Sequence, residues 1–466
     1  MDYKRIFSLF LFAFLIISLE GFAQAGKTGK LRVSDNHRFL VKEDGTPFFW
    51  LGDTGWLLFS KLNQEEAVKY LEDRRKKGFN VIQVMVLHGL GAVNAYGDSA
   101  LVNGNVATPR TTEGTSSSDT SQYDYWDHID YIIDVAAEKG LYMALVPVWG
   151  TNVKAGLVSE AQARTYAAWL ANRYKDKPNI VWLNGGDIKG SDSINVWKTI
   201  GSTIDSVDPH HLITFHPFGR TTSSTWFHQE PWLDFNMFQS GHRSYEQDTV
   251  ATEHRFGPSN WKFVQIDYNL SPVKPTLDGE PSYEQIPYGL HDTTQPRWKD
   301  ADVRRYAYWS VFAGGAGFTY GHNSVMQMHK PSDKGSAYGS HYYWYDAINH
   351  PGARQMKYLK SLVLSKPYLE RVPDQSLIAG KQGDHYDYMA ATRGKDYAFI
   401  YSYNGKTFPV HMGKIEGQKV KASWYSPRDG SKKVLGTFPN KGVVTFNPPG
   451  IPKEGNDWVL VLESAK

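Results

Sequence analysis

Eight short apolar runs recur along this chain, each closed by a polar residue and separated from the next by a helix or a long crossover. They are Phe48 to Leu51, Asn80 to Leu87, Leu141 to Val148, Asn179 to Leu183, Leu212 to Phe215, Leu233 to Phe238, Pro275 to Leu277 and Gly317 to Tyr320. Helices are expected over Asn63 to Lys77, Asp127 to Lys139, Glu160 to Tyr174, Ile194 to Val207, Asp302 to Phe312 and Met356 to Leu369. The first carries its own punctuation: Asn63-Gln64-Glu65-Glu66 is a capping box and Gly78 ends the helix. Eight strand–helix units predict a (β/α)8 barrel of the TIM type. An open doubly wound sheet competes with it. That arrangement lacks support, because no Gly-x-Gly-x-x-Gly follows any strand and polar residues follow nearly all of them.

The flanks read differently. Lys4 and Arg5, the apolar run Ile6 to Leu19 and Ala23-Gln24-Ala25 predict a secretory signal over residues 1–25, cleaved after Ala25. A membrane anchor needs about 20 apolar residues, and no later segment is apolar enough to span. Export to the periplasm or the medium is expected. Leu31 to Phe49 reads as a hairpin turning near Asp44-Gly45, attached to a barrel that occupies residues 27–372. Residues 89–124 form a long Gly-, Ser- and Thr-rich connection, expected to be functional or mobile. From about Val372 the pattern changes to strands alone. Hairpin signals stand at Asn404-Gly405 and Asp429-Gly430, so residues 373–466 predict a small antiparallel β-sandwich.

Composition removes several function classes. The chain has no cysteine, which excludes disulfides, thiolate zinc sites, iron–sulfur clusters and cysteine nucleophiles. A formal charge of +3 without long basic runs argues against nucleic acid as a partner. Aromatic residues make up 14%, enough to stack on sugar rings as well as to fill a core.

In a barrel of this kind, side chains at the C-terminal strand ends converge on one face. The polar residues there are Asp53, His88, Trp149, Asn184 with Asp187, His216, Gln239 with His242, Glu280, and His322. Asp187 after the fourth strand and Glu280 or Glu284 after the seventh face each other across the mouth. Glycoside hydrolysis needs such a pair, one carboxyl to protonate the leaving oxygen and one to attack or to activate water. Gly185-Gly186 allows close backbone approach beside Asp187, and Pro281 keeps Glu280 extended. Thr276, Asp278 and Glu280 alternate and are expected to share a face, so the choice between Glu280 and Glu284 stays open. Asp53 is the reserve carboxylate. Trp56, Trp149 and Trp344 are expected to line the cleft. The four strand-end histidines with Asp187 suggest a metal-dependent barrel hydrolase as a rival, although neither His-x-His nor His-Glu-x-x-His occurs. No Gly-x-Ser-x-Gly elbow is present either. Neither metal nor cofactor is assigned.

Three segments carry a resemblance: Phe48-Phe49-Trp50-Leu51-Gly52-Asp53-Thr54, Asn184-Gly185-Gly186-Asp187 and Gly279-Glu280-Pro281-Ser282-Tyr283-Glu284. Together they resemble the apiosidase-like glycoside hydrolases of gut Bacteroidetes. Trp424 to Gly430 and Asp457 to Leu460 resemble the small β-domain, labelled collagen-binding, that follows their barrel. The resemblance implies an exported endo-acting enzyme that cleaves apiosyl linkages in the plant pectin rhamnogalacturonan II. It also implies an acid/base aspartate at Asp187 and a second carboxylate within Gly279 to Glu284. Related barrel glycosidases carry Glu-Pro or Asn-Glu after the fourth strand, and this chain departs from them with Asp187. A barrel that binds glycan without catalysis is the other class to be weighed.

Overall fold

The computed structural model describes residues 28–249 and 254–465. The signal segment expected at 1–25 lies outside the described residues. Three short strands, β1 (Leu31–Val33), β2 (Leu40–Lys42) and β3 (Pro47–Phe48), make a small antiparallel sheet where a hairpin was expected.

The barrel follows at once. Its first five strands are β4 (Trp50–Thr54), β5 (Val81–Met85), β6 (Tyr142–Val146), β7 (Ile180–Ile188) and β8 (Ile213–Pro217). A two-residue strand, β9 (Thr221–Thr222), precedes β10 (Asn236–Gln239), β11 (Thr276–Asp278) and β12 (Gly317–Tyr320). The sheet order is β8-β7-β6-β5-β4-β12-β11-β10-β9, parallel except where β9 runs against β10. The seam between β8 and β10 is joined by the segment leading into β10. Asp234 N–H donates to the Ile213 carbonyl at 2.9 Å, and Thr214 Oγ1 donates to the Phe235 carbonyl at 2.6 Å. Eight parallel strands thus close into the expected barrel. Its interior is packed, with Gln83 Nε2 donating to the Gly279 carbonyl and Thr319 Oγ1 to Gln83 Oε1.

Helix boundaries follow local chemistry. Asn63 and Glu66 form the capping box of Gln64–Lys76. Tyr125–Glu138 starts two residues before the sequence expectation, because Asp124 caps it through Trp126 N–H and Asp127 N–H. The last barrel helix is Pro351–Leu364 rather than Met356 to Leu369. Proline suits the first helical position, and a second proline, Pro367, forbids continuation. Residues 89–124 hold no helix or named strand, but isolated bridges at Val93–Ser99 and Leu101–Pro109 fold them onto the barrel, with Leu101 and Val106 buried.

The C-terminal region has β13 (Val372–Pro373), β14 (Met389–Arg393), β15 (Tyr397–Ser402), β16 (Phe408–His411), β17 (Lys419–Tyr425), β18 (Lys432–Pro439), β19 (Val443–Phe446) and β20 (Trp458–Ala465). Six of these form one antiparallel sheet, β13-β14-β15-β20-β17-β18, and β16 pairs with β19. The two layers enclose Ile400, Val410, Trp424, Phe446 and Leu460. The other face of the larger sheet packs on the barrel helix Asp300–Phe312, where Tyr308 and Tyr401 stack with ring centroids 4.8 Å apart.

Candidate active site

A bulge aims the first carboxyl group. β7 and β8 pair in register from Trp182 to Gly185, opposite Ile213 to His216, and pairing resumes at Ile188 opposite Pro217. Gly186 and Asp187 are therefore looped out of the ladder. Gly185, Gly186 and Asp187 all have positive φ, at 91°, 110° and 48°. The two glycines accept this backbone freely, and a Cβ on Gly186 would sit 2.6 Å from the Trp149 ring. The bulge delivers the Asp187 side chain to the cleft, and its N–H donates to His216 Nδ1 at 3.2 Å.

A turn aims the second. β11 ends at Asp278, and the side chains of Thr276 and Asp278 reach the helix layer. Thr276 donates to Asp267, and Asp278 accepts from Ser240 and Asn260. The expected shared face of Thr276, Asp278 and Glu280 therefore does not extend to Glu280, because the chain has left the strand. The Glu280 carbonyl is held by Gly241 N–H at 3.1 Å, and its carboxylate enters the cleft.

Two histidines hold that carboxylate. His242 Nε2 lies 3.0 Å from Oε1 and His216 Nε2 3.3 Å from Oε2. On each ring the other nitrogen faces a backbone N–H: Tyr283 for His242, at 3.4 Å, and Asp187 for His216. A nitrogen that accepts cannot carry the proton, so both rings present Nε2–H to Glu280. Burial alone would raise Glu280, but the Nε2–H groups that His216 and His242 turn towards it outweigh burial and hold the carboxyl well below the usual range. Asp187 moves the opposite way. Burial raises it first and the nearby Glu280 charge adds to that, while the Gln239 side chain and Gly219 backbone partly oppose the rise. One site thus holds a carboxylic acid and a carboxylate together near neutral pH.

The cleft between them has a volume of about 540 Å³. Trp56 and Trp149 form one wall, their ring centroids 5.3 Å apart. Of the residues singled out in the sequence, Trp56, His88, Trp149, Asp187, Gln239, His242 and Glu280 line it. His216 stands behind Glu280 with its ring edge-on to Trp56.

Five others lie elsewhere. Glu284 is buried off the cleft, accepting from Tyr320 Oη at 2.6 Å and Gly352 N–H at 3.1 Å. Asp53 is buried against Tyr70 and Arg74. Asn184 ties β7 to the following helix through the Trp197 carbonyl. His322 caps Asn323–Met326 by accepting from Ser324 N–H. Trp344 is a core residue, 1% exposed, edge-on to Tyr70. The cleft also takes residues that the sequence reading missed, notably Phe218, Arg220, Arg243, Tyr283 and Tyr338. Their signal was position in the loops beyond the first polar residue of each strand end. Among the described residues, no group of three or more His, Asp or Glu is arranged to hold a metal ion.

Two solved structures share this architecture over nearly the whole chain. One, named a glycoside hydrolase, is 49% identical with a TM-score of 0.88, over 94% of this chain and 97% of its own. The other, a glycoside hydrolase family 5 protein from Bacteroides vulgatus, is 47% identical with a TM-score of 0.87, over 94% of each chain. Fold and neighbours define the class as a barrel glycoside hydrolase. Residues 34–370 match the family described as "Apiosidase-like, catalytic domain", and the chain belongs to that family. Residues 372–463 match "Putative collagen-binding domain of a collagenase". Among curated proteins, none matches the chain.

Proposed function

We propose that this enzyme hydrolyses apiosyl linkages in the side chains of rhamnogalacturonan II, with Asp187 as acid/base and Glu280 as nucleophile. The observation that carries the chemistry is the opposite displacement of two carboxyl groups in one cleft. Asp187 gives its proton to the glycosidic oxygen as that bond to the anomeric carbon breaks. A Glu280 oxygen forms the new bond to the same carbon. Water then attacks that carbon, gives its proton to Asp187, and Glu280 leaves as a carboxylate. A general base works best with a pKa near the working pH, and Glu280 is held far below it. That favours direct attack over activation of water, and hence retention of configuration.

Trp56 and Trp149 offer faces for sugar rings, and Gln239 and His88 offer partners for hydroxyl groups. The apiosyl specificity rests on family membership. The run from Lys4 to Ala25 supports an exported enzyme, periplasmic or secreted, whose mature chain begins after Ala25. N-terminal sequencing of the native protein tests that point.

The deciding experiment is digestion of rhamnogalacturonan II fragments, with products identified by mass and linkage. New ends at apiosyl residues are expected from the wild type. Glu280→Ala should be inert until azide is added, and then yield a glycosyl azide of inverted configuration. Cleavage confined to other linkages would overturn the specificity, and azide without effect would overturn the nucleophile.

A further inference from the structure

A second cavity, of about 350 Å³, opens at the end of the barrel opposite the cleft. It lies at the N-terminal ends of the strands. Phe49 and Asn80 line it from the residues just before β4 and β5, and Tyr142 lines it as the first residue of β6. Its size is that of a small-molecule site. Four cations line it as well: Lys42, Arg75, Lys139 and Lys360.

Two of the four have a structural role. Arg75 and Lys139 stand at the ends of helices Gln64–Lys76 and Tyr125–Glu138, where cations suit the negative end of the helix dipole. They share one carboxylate, Glu72, which Arg75 meets at 2.7 and 3.0 Å and Lys139 at 3.2 Å. Lys42 and Lys360 differ. Lys42 comes from a strand, and its N–H and carbonyl are fixed in the hairpin by Thr46 and Gly45, each at 2.9 Å. Lys360 gives one N–H to the Gly78 carbonyl at 2.9 Å, which leaves two donors on its ammonium. Among the described residues, neither lysine has a carboxylate within ion-pair distance. Glu43 and Asp44 lie near the Tyr142 hydroxyl, outside the lining. Burial and the Lys42 charge push the Lys360 ammonium down to about 8, and an anion between the two lysines would offset both effects.

We propose that this cavity binds a phosphate monoester, with Lys42 and Lys360 on the phosphate and Phe48, Phe79 and Leu364 against its carbon body. The charge count selects the ligand. A phosphate monoester carries about 1.5 to 2 negative charges at neutral pH, which matches two lysines, whereas a carboxylate, a sulfate ester or a phosphodiester carries one. Lysine meets a tetrahedral oxyanion as a point charge and needs no planar partner.

Glycerol 3-phosphate serves as the probe, with dimethyl phosphate and methyl sulfate as singly charged comparisons. Each is titrated calorimetrically at constant ionic strength, in a phosphate-free buffer, into the wild type, Lys42→Met, Lys360→Met and Lys433→Met. Unfolding curves first establish that the variants are folded. Lys433 is exposed on β18, in the small domain. The wild type should bind glycerol 3-phosphate saturably, at least about tenfold more tightly than either comparison. Lys42→Met and Lys360→Met should each weaken that binding by about tenfold or more, and Lys433→Met should leave it unchanged. If Lys360→Met does not fold, Lys42→Met on the hairpin carries the test. Absence of saturable binding overturns the proposal, since the lysines would then serve only the helix ends. So does binding that survives both lysine substitutions, or equal affinity for the singly charged probes. None of these titrations depends on cleavage of a glycan.

Discussion

At the scale of single residues, two imidazoles set the charge of one carboxyl group and that charge sets another. Asp187→Asn removes the proposed proton donor and should lower kcat by a factor of about a hundred or more on unactivated glycosides, with the unfolding midpoint little changed. The proposed mechanism needs Asp187 protonated and Glu280 ionised, so kcat/KM should fall on the alkaline side as the raised Asp187 loses its proton. It should fall on the acid side as Glu280 gains one, below the ordinary glutamate range. His242→Ala takes away one Nε2–H, which lets Glu280 rise. The acid limb should then move to higher pH while the alkaline limb falls slightly or stays. A pH–rate profile of this variant with an unmoved acid limb would mean that the histidine acts only as packing.

At the scale of elements, the bulge at the end of β7 decides where Asp187 points. Gly186→Ala puts a methyl group against the Trp149 ring on a backbone with φ of 110°. Such strain costs about 1 to 3 kcal/mol, read by denaturant unfolding. Misplacing the acid by a fraction of its reach should lower kcat by ten- to a hundredfold, roughly the cost of a 1 Å shift. Loss of stability with unchanged kcat would separate the bulge from the chemistry. The eight strands and five of the six expected helices were legible because glycines, prolines and capping residues punctuate them, whereas the last helix was placed five residues late. The station at Asp187 was legible from Gly185-Gly186. What was not legible was rotation of the chain beyond a strand end. Glu280 and Glu284 stand four residues apart in one element, and tertiary hydrogen bonds separate them: Gly241 N–H to the Glu280 carbonyl, Glu284 N–H to the Gly321 carbonyl. Asp53, Asn184 and His322 show the same limit. A polar residue at a strand end is as useful for binding the next helix as for meeting a ligand.

At the scale of the whole molecule, buried acids tie stability to pH. Asp234, Asp278 and Glu284 are each pushed by burial up to about 7. Carboxyl groups in an unfolded chain titrate near about 4. Between these values the folded protein holds protons that the unfolded chain releases, so stability declines as pH rises through the window and returns as pH falls. Calorimetry should give a higher Tm near about pH 5 than near about pH 8, and an equal or reversed order would contradict the burial of these groups. A second effect spans the two halves. Arg304 on the barrel helix Asp300–Phe312 binds Asp457 at the start of β20 through Nε at 2.8 Å and Nη2 at 3.0 Å, wholly buried. Asp457→Ala leaves that guanidinium with Asp300 and Gln355 among the described residues, and should cost about 3 to 5 kcal/mol by denaturant unfolding.

The joint between the halves is equally closed. Arg371 sits between the two matched segments, buried, donating to the carbonyl groups of Val311 and Gly315. Tyr388, Tyr397, Phe399, Tyr401 and Val461 belong to the same apolar cluster as the barrel helices. A binding module on a flexible tether raises local concentration by searching a volume around its enzyme. Here there is no tether and no volume to search. The C-terminal sheet therefore keeps one fixed distance and one orientation to the cleft that holds Glu280, as a ruler keeps its marks.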